Sequence, residues 1–308
     1  MSIDLLQAKM KKLNNTLMVD FSLEAEMLPE HILSEFGCLC DAYSEYCSKL
    51  LTGLKGEAAA VRFSLMDAIL LGDHGVSLLT NLMKKAASLG YYVLLEAYGV
   101  SSTASAKRSA EKIWGAESNL PCDGILISGY YGSEIIKPFL PYCENQKKDL
   151  FAMVRSTNKS SSEIQDLLAG SRMVHMAAAD YVNRFGANTV GKYGYSRIGI
   201  SVSATTGDSI KMLRGKYPHQ FMLIDGLDVS GANAKNASYG FDNLGHGAIV
   251  CVGRSVTCAW KEEEYQDLDF VQAAIAAARK TQKKIGRYVS VLSLGFDVRI
   301  SLPPVEAS

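Results

Sequence analysis

An excess of charge of either sign is the first thing this 308-residue sequence lacks: 32 lysines and arginines meet 32 aspartates and glutamates. Without a net field it offers no cationic face for nucleic acid, and none for an anionic membrane surface. Short basic groups such as Lys283-Lys284 read as solvated helix faces. No apolar run approaches the roughly 18 residues that a membrane-spanning helix needs. The opening MSIDLLQAKMKKLNN has no apolar core followed by a small-residue cleavage site, so no secretory leader is expected and the expected compartment is the cytoplasm. Cysteines are few and unpaired in pattern. The seven (38, 40, 47, 122, 143, 251, 258) fall mostly in apolar segments, and Cys38-Leu-Cys40 has no second pair or nearby histidine to complete a zinc set. Reduced thiols and no bound metal are expected. A strand-turn-helix G-x-G-x-x-G is also missing, and no cofactor is expected.

What is present is a large apolar fraction, 48%, enough for one sizeable core. Short runs rich in Val, Ile and Leu recur at 16–20, 58–63, 91–97, 124–129, 150–155, 198–203, 220–225 and 248–253. Each is apolar on both faces, as parallel strands covered on both sides are. Segments of helical period separate them. In 74–89, Leu78, Leu79, Leu82, Met83, Ala86 and Leu89 repeat at three- and four-residue steps. Ser133 and Thr205 or Thr206 stand at plausible helix starts, and 31–52 reads as one long helix. Eight strands alternating with helices suit a closed (β/α)8 TIM barrel better than an open sheet. No linker interrupts the chain. One domain is expected over 1–308, the barrel proper at about 14–287, with a tail at 288–308 that is irregular or carries one added strand.

In such barrels the site forms at the C-terminal ends of the strands. Those ends read Asp20, Arg62, Glu96-Ala97-Tyr98, Ser128-Gly129-Tyr130, Arg155-Ser156-Thr157-Asn158, Ser203-Ala204-Thr205, Asp225-Gly226 and Gly253-Arg254. The set is polar and glycine-bearing, which points to a ligand site. Tyr130 is the aromatic best placed to touch a ligand, while Tyr131, Tyr193 and Tyr195 read as packing. The five histidines (31, 74, 175, 219, 246) avoid strand ends and read as structural or exposed. Asp67 and Asp73, on the second helix or its entry, read as surface carboxylates rather than metal ligands.

The loops after strands seven and eight are the recurrent phosphate station of these barrels. Here they read Asp225-Gly-Leu-Asp-Val-Ser-Gly-Ala232 and Gly253-Arg254-Ser255. Glycine admits backbone N–H groups to a phosphate, and an arginine closes the ion pair. The competing assignment makes Arg254 a structural partner of Asp225 or Asp228.

Five stretches then carry a resemblance in order along the chain: TLMVDF, DGILISGYYGSEIIKPFLPY, LFAMVRSTNKSSSEIQDL, GKYGYSRIGISVSATTGDSIKMLR and GAIVCVGRSVTCAWK. Together they resemble the bacterial type 2 orotidine 5'-phosphate decarboxylases from about residue 14 to about residue 287. The resemblance implies that Asp20 holds a ribose, that Thr157 contacts a pyrimidine ring, and that Arg254 takes the phosphate. The implied ligand-binding set is Asp20, Ser128, Thr157, Ser230, Gly231, Gly253 and Arg254, around a phosphorylated small molecule such as uridine or orotidine monophosphate. A homodimer is implied too, its sites completed across the interface at the strand-three loop. The alternative is a heterodimer with an active paralogue.

The departures fall on the catalytic stretch. Where the family has D-A-K-R-G-D-I-G-S-T, this chain has YYVLLEAYGVSSTASA. Glu96 stands at the first aspartate, Tyr98 at the lysine, and Ser101 nearest the second aspartate. Arg62 replaces the strand-two lysine, and Ser230 and Asp225 replace the strand-seven glutamine and proline. A phenol, with an ordinary pKa near 10, is neutral and supplies no cation to a developing carbanion. General acid chemistry alone is worth roughly 10²–10⁴-fold, and a pre-placed charge in a dry site several kcal/mol more. Arg62 can pair with Glu96 and order a ligand, but cannot release a proton at working pH. The reading is a degenerate homologue. Its alternative is an active decarboxylase or lyase on a phosphorylated substrate using Glu96, Tyr98 and Arg62.

Overall fold

All eight apolar runs form strands, and the computed structural model, which describes residues 2–289, closes them into one ring. The barrel strands are β1 Leu17–Phe21, β2 Ala60–Ser64, β3 Tyr92–Glu96, β4 Gly124–Ser128, β5 Asp149–Arg155, β6 Ile198–Ser203, β7 Met222–Asp225 and β8 Ala248–Val252. Each pairs in parallel with its sequence neighbour, and β8 closes on β1. The chain is a (β/α)8 TIM barrel. Every residue of β6 and of β8 is buried, because helices cover the outside while side chains fill the inside.

The helical period at 74–89 forms the helix Gly75–Ser88, with Leu78, Leu79, Leu82, Met83 and Ala86 buried. The long helix expected at 31–52 is instead two, Glu30–Glu35 and Leu39–Gly53. Cys38 is extended between them, and its Sγ accepts from the Asp41 N–H at 3.4 Å, so a cysteine caps the second helix. That also leaves Cys38 exposed, while Cys47, Cys122, Cys143, Cys251 and Cys258 are buried. Ser133 caps no helix. Pro138 and Pro141 break its segment into 3-10 turns at Ser133–Ile135 and Lys137–Phe139 and a helix at Leu140–Asn145. Thr206 does precede the helix Gly207–Lys216, but its hydroxyl donates backward to the Ser203 carbonyl instead of capping. A two-stranded hairpin, Leu168–Ala169 with Arg172–Met173, was not expected. The expected tail lies, beyond Val289, outside the described residues.

Helix Ile3–Leu13 was also not foreseen. It buries Ile3, Leu6, Gln7 and Met10 against the N-terminal end of the barrel. Gln7 Oε1 accepts from the Gly247 N–H at 2.9 Å, Asp4 Oδ1 from the Tyr193 N–H at 3.3 Å, and Lys9 Nζ donates to the Gly90 carbonyl. Residues 90, 193 and 247 precede three different strands, so the helix stoppers that end.

Inside the barrel Asp149 is fully buried, and its Oδ2 accepts from the Tyr92 hydroxyl at 2.9 Å. Gly124 makes room, since a Cβ there would stand 2.4 Å from that hydroxyl. Burial raises the Asp149 pKa from 3.8 to about 8, against the Tyr92 hydrogen bond, which lowers it. The native state therefore retains a proton that the unfolded chain has released between pH 4 and 8. Stability from this group is full below the unfolded value and is lost as pH rises through the folded one. Replacement Asp149→Asn keeps the acceptor for Tyr92 and removes the titration. It should raise the melting temperature at pH 8 by a few degrees and flatten its decline between pH 4 and 8, as read by calorimetry.

Candidate active site

Strand register assembles the mouth. Asp20 is level with Arg62, Ser64 with Glu96, and Ser203 with Asp225, all at the C-terminal ends of their strands. Level residues on parallel strands point the same way, so Asp20, Arg62, Glu96 and Asp225 converge on the axis. Arg62 takes the centre, its side chain only 9% exposed. Its Nε and Nη2 donate to Asp20 Oδ1 and Oδ2 at 2.9 and 2.7 Å, a bidentate pair. Nη1 donates to Asp225 Oδ2 at 2.7 Å. Burial alone would weaken the cation, but the Asp20 and Asp225 carboxylates reverse that and hold it charged.

The expected Arg62–Glu96 pairing is thus secondary. Glu96 Oε2 stands 3.8 Å from Arg62 Nη1, beyond hydrogen-bond reach. Burial raises its pKa to about 7; Arg62 pulls it down, while Asp20, Asp225 and Asp67 push it up. Glu96 is therefore shared between acid and base near neutral pH. Tyr98 keeps 36% of its surface in solvent, yet desolvation, then the carboxylates of Asp225 and Glu96, lift its pKa well above the ordinary phenol value. It is neutral.

These groups line a cavity of about 390 Å³ that also takes in Ser22, Glu24, Thr157, Asp228, Cys251, Gly253 and Arg254. Thr157 is held over it by the strand-seven loop. Gly226 has φ +69°, and a Cβ there would meet Thr157 Cγ2 at 2.4 Å, so only glycine fits. Ser101, Ser128, Ser230 and Gly231 do not line the cavity. Ser101 donates its N–H to Ser105 Oγ ahead of the next helix, and Ser128 Oγ accepts from the Tyr130 N–H. Gly231 turns with φ +92° in an exposed loop. Tyr130 is directed elsewhere, its hydroxyl donating to the Val154 carbonyl. Among the described residues, no histidine and no lysine lines this cavity.

The loops after β7 and β8 are closed internally. Asp228 Oδ2 accepts from the Gly253 N–H at 2.6 Å and the Ser255 N–H at 3.3 Å, and the Ser255 hydroxyl donates to Oδ1. Arg254, 57% exposed at its side chain, pairs with Glu24. Neither Asp225 nor Asp228 holds Arg254, in contrast to the competing assignment. Glu24 was missed altogether; the only signal was the short acidic stretch SLEAE after strand one. Asp67, set aside as a metal ligand, accepts from the Leu23 N–H and the Ser64 hydroxyl.

Removing Arg62 would leave three carboxylates facing each other with little water. Breaking such a buried network by deleting one partner costs about 3–5 kcal/mol. Arg62→Met should lose about that much stability at pH 8 and recover part of it at pH 5, where the freed carboxylates can protonate. Urea unfolding at the two pH values reads both; a variant as stable as the parent at pH 8 removes the network from its structural role.

No family model matches the chain. Its curated relatives include a protein of Caldicellulosiruptor saccharolyticus named orotidine 5'-phosphate decarboxylase. That protein is 28% identical over 302 residues, with 93% of this chain and 98% of the relative covered. A second so named, from Caldicellulosiruptor bescii, is 26% identical over 302 residues with the same coverage, 93% and 98%. Among solved structures, the OMP decarboxylase of Leishmania donovani superposes with a TM-score of 0.72 at 22% identity, covering 94% of this chain and 100% of that one. That likeness speaks for the fold, and the curated relatives speak for the ancestry. Over most of its length the chain is thus similar to proteins named orotidine 5'-phosphate decarboxylase, and it has the fold of the solved one.

Proposed function

We propose that this chain is an orotidine 5'-phosphate decarboxylase homologue that no longer decarboxylates, and that it keeps a small-molecule pocket at the barrel mouth. One observation carries the reading: among the described residues no lysine lines that cavity, and its buried cation, Arg62, has its donors committed to Asp20 and Asp225. A carbanion forming in the pocket would meet a neutral phenol at Tyr98 and a guanidinium already neutralised. Arginine also stays protonated, so it delivers no proton to the ring. Stabilisation by pre-placed charge usually contributes more to catalysis than any other single effect, and here it has nothing left to act through.

The ligand class that the resemblance implies is a phosphorylated small molecule, with uridine and orotidine monophosphate as the first probes. Free thiols throughout the described residues suit a reducing compartment, and we place the protein in the cytoplasm. With saturating orotidine 5'-phosphate, turnover should stay far below about 1 s⁻¹, the floor of ordinary enzymes. Tyr98→Lys alone should not restore it. Turnover at that floor by the parent, or full rescue by the single change, ends the reading.

A second reading rests on Glu96. A carboxyl with a pKa of about 7 and no hydrogen bond from Arg62 is suited to proton transfer, and Tyr98 lines the same cavity. On this reading the chain converts another phosphorylated substrate. The same assay run over phosphorylated substrates separates the two: Glu96→Gln abolishes any turnover found, whereas a pseudoenzyme shows none to abolish.

We also propose a homodimer through the strand-two and strand-three loops. Beside Glu96 and Tyr98 lies a hollow of about 610 Å³ walled by Leu65, Met66, Ile69, Ala97 and Val100. Met66, Ile69 and Leu70 are half or more exposed, a patch that a second subunit would cover. Light scattering should give twice 33.4 kDa, falling to the monomer mass for Ile69→Glu. A monomeric parent defeats the homodimer, and capture by an active paralogue would favour the heterodimer.

A further inference from the structure

We infer that Asp228 is an intramolecular competitor for phosphate: its carboxylate holds the donors that a phosphoryl group needs, and so it sets which ligands the mouth accepts. The inference rests on the reading of this cavity as a ligand pocket. The backbone N–H groups of Gly253 and Ser255 and the Ser255 hydroxyl point at one spot, and both Asp228 oxygens fill it. Converging backbone N–H groups of this kind are how proteins take anions. The anion here is part of the chain. Tethered three residues beyond the Asp225 that Arg62 grips, Asp228 is present at high effective concentration, which a dissolved phosphate ester must outcompete.

The surroundings reinforce the exclusion. Among the described residues Arg254 is the one cation at this end of the cavity, and it is turned onto Glu24. Five carboxylates (Asp20, Glu24, Glu96, Asp225 and Asp228) line the cavity against two guanidinium groups, Arg62 and Arg254. A dianionic phosphomonoester entering it must displace Asp228, break the Glu24–Arg254 pair, and leave the Asp228 carboxylate in a field that is already negative. A ligand of the same size without a phosphoryl group meets none of these costs. The parent protein therefore binds a phosphomonoester less tightly than these donors alone would allow, and loss of the Asp228 charge raises that affinity.

Calorimetric titration of uridine 5'-monophosphate, inorganic phosphate and uridine into the parent, Asp228→Ala and Asp228→Asn tests this. Uridine monophosphate and phosphate should bind Asp228→Ala at least tenfold more tightly than the parent, with uridine unchanged. Asparagine is neutral but still fills the space, so Asp228→Asn should gain less, about threefold. Equal affinity of the parent and both variants for the monophosphate overturns the inference, as does a gain for uridine of the same size. Thermal melting confirms that each variant is folded; should the alanine form fail, the asparagine form decides by the presence or absence of its gain. Failure here is separable from failure of the proposed function: tight binding of the monophosphate without turnover sinks only the role of Asp228, whereas turnover sinks the loss of catalysis.

Discussion

A guanidinium withdrawn from water at the rim of the barrel is the constraint on which the rest of the mouth depends. Arg62 sits on β2 with most of its side chain buried, and such a charge survives only if its donors are answered. Asp20 from β1 and Asp225 from β7 answer them. Strands β2, β1, β8 and β7 are consecutive in the ring, so one side chain spans half of it at the C-terminal ends of the strands. Glu96 and Tyr98 line the cavity beside it. Burial lifts the pKa of both, the neighbouring carboxylates add to it and Arg62 opposes it, so Glu96 titrates near neutral pH and the phenol keeps its proton.

The strands were legible because two-sided burial leaves a simple mark, unbroken apolar runs at barrel spacing. Helix limits were less so. The break at Cys38 depends on a thiol acting as a cap, a role that serine or aspartate would have announced. The segment after Ser133 looked helical by its apolar residues, and its two prolines decided otherwise. At the mouth, Asp20, Arg62, Glu96, Tyr98, Thr157, Gly253 and Arg254 share one cavity, while Ser101, Ser128, Ser230 and Gly231 lie outside it. What could not be read was who pairs with whom. Arg62 stands level with Asp20 across the β1–β2 ladder, while Glu96 is level with Ser64, and only register shows this. Glu24 and Arg254 are more than two hundred positions apart, and no local pattern links them.

The mouth answers its own charges. Arg62, Arg254 and the N–H groups of Gly253 and Ser255 are each satisfied by a carboxylate of the same chain. A site built to act on an anionic substrate usually leaves such donors waiting, because a donor that must first be released contributes less to binding and to the transition state. Here each of these donors is already engaged within the chain.

The N-terminal helix has a different consequence, for the order of assembly. Its contacts reach the segments just ahead of β3, β6 and β8, the farthest spanning 240 positions, from Gln7 to Gly247. A plug of this kind has nothing to dock on until the ring is nearly shut, since its partners come from three sides of the opening. Closing so long a loop is slow, though its entropic cost grows only gently with length. The helix therefore fastens three segments that only a closed barrel brings together at that end.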